Sequence, residues 1–142
     1  MKIAFDLVSK WFVRAAWAPV AVVLVQQLFS RSNETDLLMH FFGGAAMAFF
    51  FYQGTLVFDS LLGRPLPILR HLLVLGLICG VVIAWELLEL TSDRLFDSRF
   101  QASISETMGD QFCGVLGSTV ILGGIAVIER WGRTTASHSE RH

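Results

Sequence analysis

The chain has 142 residues, of which 54% are apolar and only 16% are charged. Soluble domains carry about 25% charged residues and at most about 50% apolar ones, so the composition predicts an integral membrane protein. The formal net charge of −1 excludes a nucleic-acid partner, which would need a clustered basic face. Cys79 and Cys113 both lie inside apolar runs, where cysteine behaves as a small hydrophobic residue, and this excludes a disulfide scaffold.

Four segments are long and apolar enough to span a bilayer, which takes about 20 mostly apolar residues. They cover residues 11–29, 36–58, 71–90 and 107–128, and a polar tail follows at 130–142. The connection at 91–106 is polar and longer than the other two. The sequence therefore predicts an all-α transmembrane domain over residues 1–129, folded as a four-helix bundle.

The first segment has the charge pattern of a signal peptide, because Lys2, Lys10 and Arg14 precede its apolar stretch. The stretch is longer than a signal peptide needs, and no A-x-A-like cleavage site follows it. We therefore expect a retained membrane helix. Pro19 lies inside this helix, where it predicts a mild kink of the kind that membrane helices tolerate.

The basic residues predict the orientation, since they concentrate in cytoplasmic loops. Three of them, Arg31, Arg94 and Arg99, lie on one side of the predicted helices. The other side has eight, in the N-terminal segment, the second loop and the tail: Lys2, Lys10, Arg14, Arg64, Arg70, Arg130, Arg133 and Arg141. Both termini are therefore expected in the cytoplasm, and the loops at 30–35 and 91–106 outside it.

Ionisable side chains inside membrane helices cost about 2.5–3.5 kcal/mol each near the helix centre, so their positions are informative. Three helices each bring two of them to the outer end, and the pairs are Asp36 with His40, Glu86 with Glu89, and Glu106 with Asp110. Each pair is spaced i,i+3 or i,i+4 and therefore shares a helix face. Three glutamines lie at the same level: Gln26, Gln27 and Gln111. The inner half of the bundle is expected to hold almost no such groups.

With a rise of about 1.5 Å per residue, His40, Glu86 and Asp110 lie about 6–8 Å inside the outer boundary. Carboxylates and an imidazole that converge from separate helices can bind a metal ion. Oxygen ligands suit Mg²⁺, Ca²⁺ or Mn²⁺, and the histidine also admits Zn²⁺ or iron. The same groups could instead act as a general acid–base set, relay protons or hold the cationic part of a lipid head group.

The candidate metal ligands are His40, Glu86, Glu89 and Asp110, with Glu106 behind them as a supporting residue. Glu86 and Asp110 lie deepest, and we favour a functional role for both. The other acids and His40 have simpler alternative roles. Asp36 and Glu106 lie at helix starts, where an acid complements the helix dipole and caps free N–H groups, and we favour that role for both. Glu89 lies close enough to the boundary to reach water, and His40 is equally well explained as a hydrogen-bonded packing residue.

Small residues predict which helices approach each other closely. Gly109, Cys113 and Gly117 form a stripe on the fourth segment, and Gly43 and Gly44 begin a run of small residues on the second. We expect these two helices to pack together, which would also bring His40 towards Asp110.

The polar segments also resemble those of known membrane proteins. Asp36-Leu-Leu-Met-His40-Phe41 with Gly44 resembles the D-x-x-x-H-F-x-x-G helix start of the YjdF-type bacterial inner-membrane proteins. Glu86-Leu-Leu-Glu89 resembles their E-x-I-E segment, and Glu106-Thr-Met-Gly-Asp110 resembles their acid-x-x-x-D stretch. The last stretch is also similar to the D-x-x-x-N-x-x-G signature of VanZ-like proteins. The resemblance implies a small multi-pass protein of the bacterial inner membrane and brings no settled reaction with it.

Taken together, the residues predict a polar pocket that binds a divalent metal ion of undetermined identity or a lipid head group. Membrane lipids are the expected partners, and the protein is expected to work as a homo-oligomer or within a larger membrane complex. One alternative is a membrane enzyme acting on lipids or lipid-linked envelope precursors, although no separate serine or cysteine nucleophile motif stands out. The other is a non-catalytic subunit whose acids only form hydrogen bonds.

Overall fold

The computed structural model describes residues 2–28, 33–63, 65–97 and 103–139. Within those ranges the chain is helical and contains no β-strand, which confirms the all-α prediction. The helices are α1 (Lys2–Ala15), α2 (Trp17–Leu28), α3 (Asn33–Val57), α4 (Asp59–Leu62), α5 (Pro67–Phe96) and α6 (Ile104–Ser139).

Three of the described helices are long and apolar enough to cross a membrane. The stretches that meet this condition are Thr35–Val57, Pro67–Phe96 and Ile104–Gly132. Helices α1 and α2 meet it only together, as one bent span, which would bring the number to four. Many large apolar side chains on these helices are exposed, for example Leu72 and Ile83 on α5, as expected for surfaces in contact with lipid.

The break between α1 and α2 is sharper than the mild kink expected from Pro19, since the two helices meet at an angle of 48°. Proline has no N–H to donate, and its ring clashes with the carbonyl four residues earlier, here that of Ala15. The helical pattern accordingly fails at Ala16, between the two helices. The first segment is therefore two helices rather than one slightly bent helix.

The helices extend beyond the apolar stretches that predict them, as α5 and α6 show. Helix α5 covers Pro67–Phe96 instead of 71–90, and it ends at Asp97, whose φ of 52° is left-handed. Helix α6 begins at Ile104, so the connection is shorter than the polar stretch at 91–106. Hydropathy detects only the part of a helix that suits lipid, whereas polar residues can continue the same helix beyond it.

The core lies between α3, α5 and α6, and α5 contributes to it through one stripe of residues. Its buried side chains recur every four residues and are Arg70, Val74, Ile78, Val82 and Glu86. Residues at this spacing share one face of a helix. The three apolar members pack with Ala48 and Tyr52 of α3 and Leu122 of α6. The stripe is thus apolar in its middle and charged at both ends.

Helix α3 packs most closely against α6, as the small residues predict. A Cβ atom on Gly44 would overlap the main-chain carbonyl of Gly114, and one on Gly117 would overlap that of Phe41. A Cβ on Gly43 would instead meet no atom within 4 Å. The close approach of α3 and α6 therefore depends on Gly44 and Gly117, and not on Gly43.

Helix α1 is attached to α3 through Trp11. Its indole Nε1 donates a hydrogen bond of 2.7 Å to the main-chain oxygen of Phe50. The indole also stacks on the Phe50 ring with centroids 4.4 Å apart, and Gly54 leaves the space into which it fits. This contact fixes the first half of the bent segment against the core.

Candidate functional site

Five ionisable side chains meet at the end of the molecule where α3 and α6 begin and α5 ends. This polar cluster consists of Asp36, His40, Glu86, Glu89 and Asp110. Glu86 and Asp110 are buried, at 4% and 7% exposure, and the other three are partly buried. Four of the five candidate ligands named from the sequence are therefore brought together.

The polar cluster divides into two groups that share His40. One group contains Asp36, His40 and Asp110, and the other contains His40, Glu86 and Glu89. Within each group one nitrogen or oxygen atom of every residue lies within 4.8 Å of the corresponding atoms of the other two. His40 of α3 is linked to Asp110 of α6, with Nε2 lying 3.9 Å from Oδ2. His40 thus stands between the acids of α5 and those of α6.

Each group holds two carboxylates, which repel each other if both are charged. At this separation and an effective dielectric constant of about 20, the repulsion is about 3 kcal/mol. A compensating positive charge is therefore favoured inside each group, from a metal ion, a bound proton or a protonated His40. Ligand atoms around one zinc-sized ion lie about 3–3.5 Å apart, so small side-chain movements would close either group around an ion.

Glu89 is held in position by its own helix. The indole Nε1 of Trp85 donates a hydrogen bond of 3.0 Å to Glu89 Oε1, one turn away on α5. Hydrogen bonds of this kind orient carboxylates that bind metal ions. The contact favours a fixed carboxylate at Glu89 over a side chain that only reaches for water.

The structure separates two acids, Glu106 and Asp36, for both of which the sequence favoured a capping role. Glu106 belongs to neither group of the described residues, and its main-chain N–H donates to Ser103 Oγ at 3.2 Å. Ser103 followed by Glu106 has the spacing of a capping box at the start of α6. Asp36, for which capping was favoured, instead joins His40 and Asp110. Its i,i+4 spacing to His40 was the signal that could have identified it.

Two cavities adjoin the polar cluster. The first has a volume of about 300 Å³, is lined almost wholly by apolar side chains, and includes Gln26 and His40 in its wall. The second, of about 530 Å³, lies between the ends of α5 and α6 and includes Glu86 and Gln111. The structure does not describe the side chain of Gln27, the remaining glutamine predicted at this level.

A second polar network at the opposite end contradicts the expectation that this half holds almost no ionisable groups. This Arg70 network consists of Tyr52, Asp59, Arg70 and Glu129. Arg70 Nη2 donates to Asp59 Oδ1 at 2.5 Å, and its guanidinium lies 5.9 Å from the centre of the Tyr52 ring. The Tyr52 hydroxyl donates to the Glu129 carboxylate, linking α3 to α6.

The sequence contained a signal for this network. Arg70 lies sixteen residues before Glu86 on the four-residue stripe of α5, so both side chains point into the core. This signal is lost when Arg70 is counted as a basic residue of the preceding loop and not as part of α5. His71, next to it, lies at the same end and its Nδ1 is 2.7 Å from the Pro67 oxygen.

Comparison with known proteins gives one match. The family described as "Predicted membrane protein (DUF2238)" matches residues 5–130, which is most of the chain. No curated protein and no solved structure matches this chain. The YjdF-type proteins belong to this family, so that resemblance agrees with the match, whereas the likeness to VanZ-like proteins stays a prediction. The chain therefore belongs to the DUF2238 family of membrane proteins.

Proposed function

We propose that this protein binds a divalent metal ion in the polar cluster, at the outer face of the bacterial inner membrane. The observation that carries the proposal is the pair of ligand groups that share His40. They combine side chains from three helices, at a depth where uncompensated charges are costly. A metal ion would neutralise the acids and also fix α3, α5 and α6 relative to one another.

The chemistry of the ligands narrows the choice of ion. One imidazole nitrogen with several carboxylate oxygens suits Mn²⁺, Zn²⁺ or Fe²⁺ better than Mg²⁺ or Ca²⁺, which prefer oxygen alone. The two groups share their only histidine, so one ion at His40 can draw carboxylates from α6, from α5 or from both. A single ion in a mixed nitrogen and oxygen site is the arrangement we favour.

The proposal includes a topology in which α1 and α2 together form one bent span. With α3, α5 and α6 they then make a four-helix bundle with both termini on the same side. The excess of basic residues at 2–14, 64–70 and 130–141 supports a cytoplasmic location for that side. The polar cluster then opens outwards, and the Arg70 network lies at the cytoplasmic end.

Elemental analysis of the detergent-purified protein tests the metal site. The parent protein is compared with a Glu86→Gln/Asp110→Asn variant, which removes one carboxylate from each group and keeps the side-chain shapes. Glu106→Gln is the matched control, because it removes an acid at the same end that belongs to neither group. All three proteins are first checked for helix content and for a single species on size exclusion.

We expect one metal ion per chain in the parent and in Glu106→Gln, and none in the double variant. Equal metal content in the parent and the double variant would contradict the proposal, because the ion would then lie elsewhere. Folded parent protein that neither retains nor takes up Mn²⁺, Zn²⁺ or Fe²⁺ would also contradict it. That result would leave the acids as a hydrogen-bonded cluster of the kind found in a non-catalytic subunit.

A further inference from the structure

Of the polar cluster only His40 lines the apolar cavity of about 300 Å³, so the proposed metal binding does not account for this cavity. Its wall is formed by all the long helices except α1, with Val22 from α2, Gly43 and Met47 from α3, Ile78 from α5 and Gly114 from α6. In the described part of the chain no Cα atom of α2 lies within 8 Å of a Cα atom of α5, so these two helices do not close the cavity by packing against each other. The cavity is therefore open sideways, at the level of the membrane-spanning helices.

The polarity of the cavity decides what can fill it. Cavities with apolar walls do not hold ordered water, because a water molecule needs two to four polar partners. An empty cavity of this size would leave its walls without van der Waals contacts, which is unfavourable. Hydrocarbon is the filling that satisfies both conditions, and the bilayer supplies it on the open side.

The cavity also has a direction. His40, Gln26 and Trp85 lie at one end of it, and Met47 and Ile78 lie towards the other. His40 and Met47 are seven residues apart on α3, which corresponds to about 10 Å along the helix. A polar end and an apolar end about 10 Å deeper match the two parts of an amphiphile, with its head group at the polar cluster and its chain in the cavity.

We propose that this cavity binds one acyl chain of a membrane glycerophospholipid, whose head group lies beside His40. The part concerning the head group rests on the proposed function, since a bound metal ion would offer that head group a partner. The part concerning the acyl chain does not, because it depends only on the apolar walls. The lipid head group then lies beside the metal ion, and it reaches the polar cluster from within the bilayer.

Photolabelling tests the acyl chain. The full-length protein is placed in vesicles of phosphatidylethanolamine and phosphatidylglycerol that contain phosphatidylethanolamine with a diazirine on one acyl chain. After irradiation, mass spectrometry locates the lipid adducts. A diazirine near the chain terminus should label Met47 and Ile78, and one near the ester should label the region of His40 and Trp85. The labelled residues should therefore change with the position of the diazirine, and this comparison requires no protein variant.

A filled cavity provides the second test. Gly43→Leu adds a side chain in the wall of the cavity, at a position where a Cβ meets no atom within 4 Å, and so reduces the space for an acyl chain. Gly80→Leu is the matched control, because it adds the same side chain at an equally open, exposed position on α5 that does not line the cavity. We expect Gly43→Leu to lose the adducts at Met47 and Ile78, and Gly80→Leu to keep them.

Failure of this proposal can be told apart from failure of the metal site. Gly43→Leu should keep its metal ion, and Asp110→Asn should keep its acyl-chain adducts. Adducts that ignore the diazirine position, or that persist in Gly43→Leu, would overturn the lipid proposal whatever the metal content. Absence of lipid adducts at Met47 and Ile78 in the folded parent protein would overturn it as well.

Discussion

Gly44 of α3 lies against the main-chain carbonyl of Gly114 of α6, and no space for a methyl group remains between them. His40 and Asp110 each lie four residues before one of these glycines, so they are one helical turn away on the same faces. The close approach of the two backbones explains why His40 Nε2 comes within 3.9 Å of Asp110 Oδ2. The glycine contact therefore determines the geometry of the polar cluster.

The first prediction concerns Gly44→Ala. The added methyl group would overlap the Gly114 carbonyl, which is backbone and cannot rotate away, so α3 and α6 must separate. We expect the free energy of unfolding to fall by about 1–3 kcal/mol, as for other overpacked cores. Reversible unfolding of the purified protein in mixed micelles, followed by circular dichroism, measures the change.

The adjacent glycine supplies the control for this measurement. A methyl group on Gly43 meets no atom within 4 Å, so Gly43→Ala should change the free energy of unfolding by no more than about 1 kcal/mol, the difference in helix propensity. Equal destabilisation by the two substitutions would mean that the helices do not approach each other at Gly44.

The second prediction concerns the unequal roles of the acids and His40. Because His40 belongs to both ligand groups, His40→Ala should abolish the binding of the proposed metal ion. Glu89→Gln leaves the Asp36, His40 and Asp110 group intact and should weaken binding less. Competition with a metal-responsive dye in detergent solution measures the three affinities. Stronger loss in Glu89→Gln than in His40→Ala would contradict the central position of His40.

The order of the polar segments along the chain could be predicted from the sequence, but the composition of the cluster could only be predicted in part. Spacing placed His40, Glu86, Glu89 and Asp110 at one end, because residue count along a helix fixes depth. Spacing could not show which of Asp36 and Glu106 joins the polar cluster. Both acids lie at the start of a helix, and only packing decides which one faces inwards. Rotation of a helix about its axis depends on contacts from distant segments.

The Arg70 network shows the complementary limit. Hydropathy treats the start of α5 as the end of a loop, and so Arg70 counts as a solvated charge. In the fold it is buried, because α5 begins at Pro67 and its inward stripe includes position 70. Pro19 predicted a kink near Ala16 but not its angle of 48°, because that angle also depends on how α1 and α2 pack against α3.

The third prediction concerns the link between Tyr52 and Glu129. Tyr52→Phe keeps the ring that packs beside His71 and removes only the hydroxyl that donates to Glu129. Because the acceptor is a partly buried carboxylate, we expect the free energy of unfolding to fall by about 1–3 kcal/mol. Glu129→Gln in the Tyr52→Phe background should then cost less than it does alone. Additive losses would indicate that the two groups do not interact.

The fourth prediction concerns Asp59→Asn, which leaves the guanidinium of Arg70 at 10% exposure without its carboxylate. A charged group deprived of its partner in such a position is costly, and we expect a loss of about 1–3 kcal/mol. Arg70→Met in the same protein should restore part of the stability, because it removes the uncompensated charge and keeps an unbranched side chain on the stripe. A double variant less stable than either single variant would contradict this account.

The fifth prediction concerns Trp11, which joins α1 to α3 without contributing to the contact between α3 and α6. Trp11→Ala removes the hydrogen bond to the Phe50 oxygen and the stacked ring, so α1 should detach while the polar cluster keeps its geometry. Trp11→Phe keeps a ring over Gly54 and should retain most of the attachment. Limited proteolysis between residues 2 and 15 measures detachment, and metal content reports on the cluster. Loss of the metal ion in Trp11→Ala would contradict this prediction. It would mean that the polar cluster depends on the first span, whose second half, α2, forms part of the wall of the neighbouring cavity.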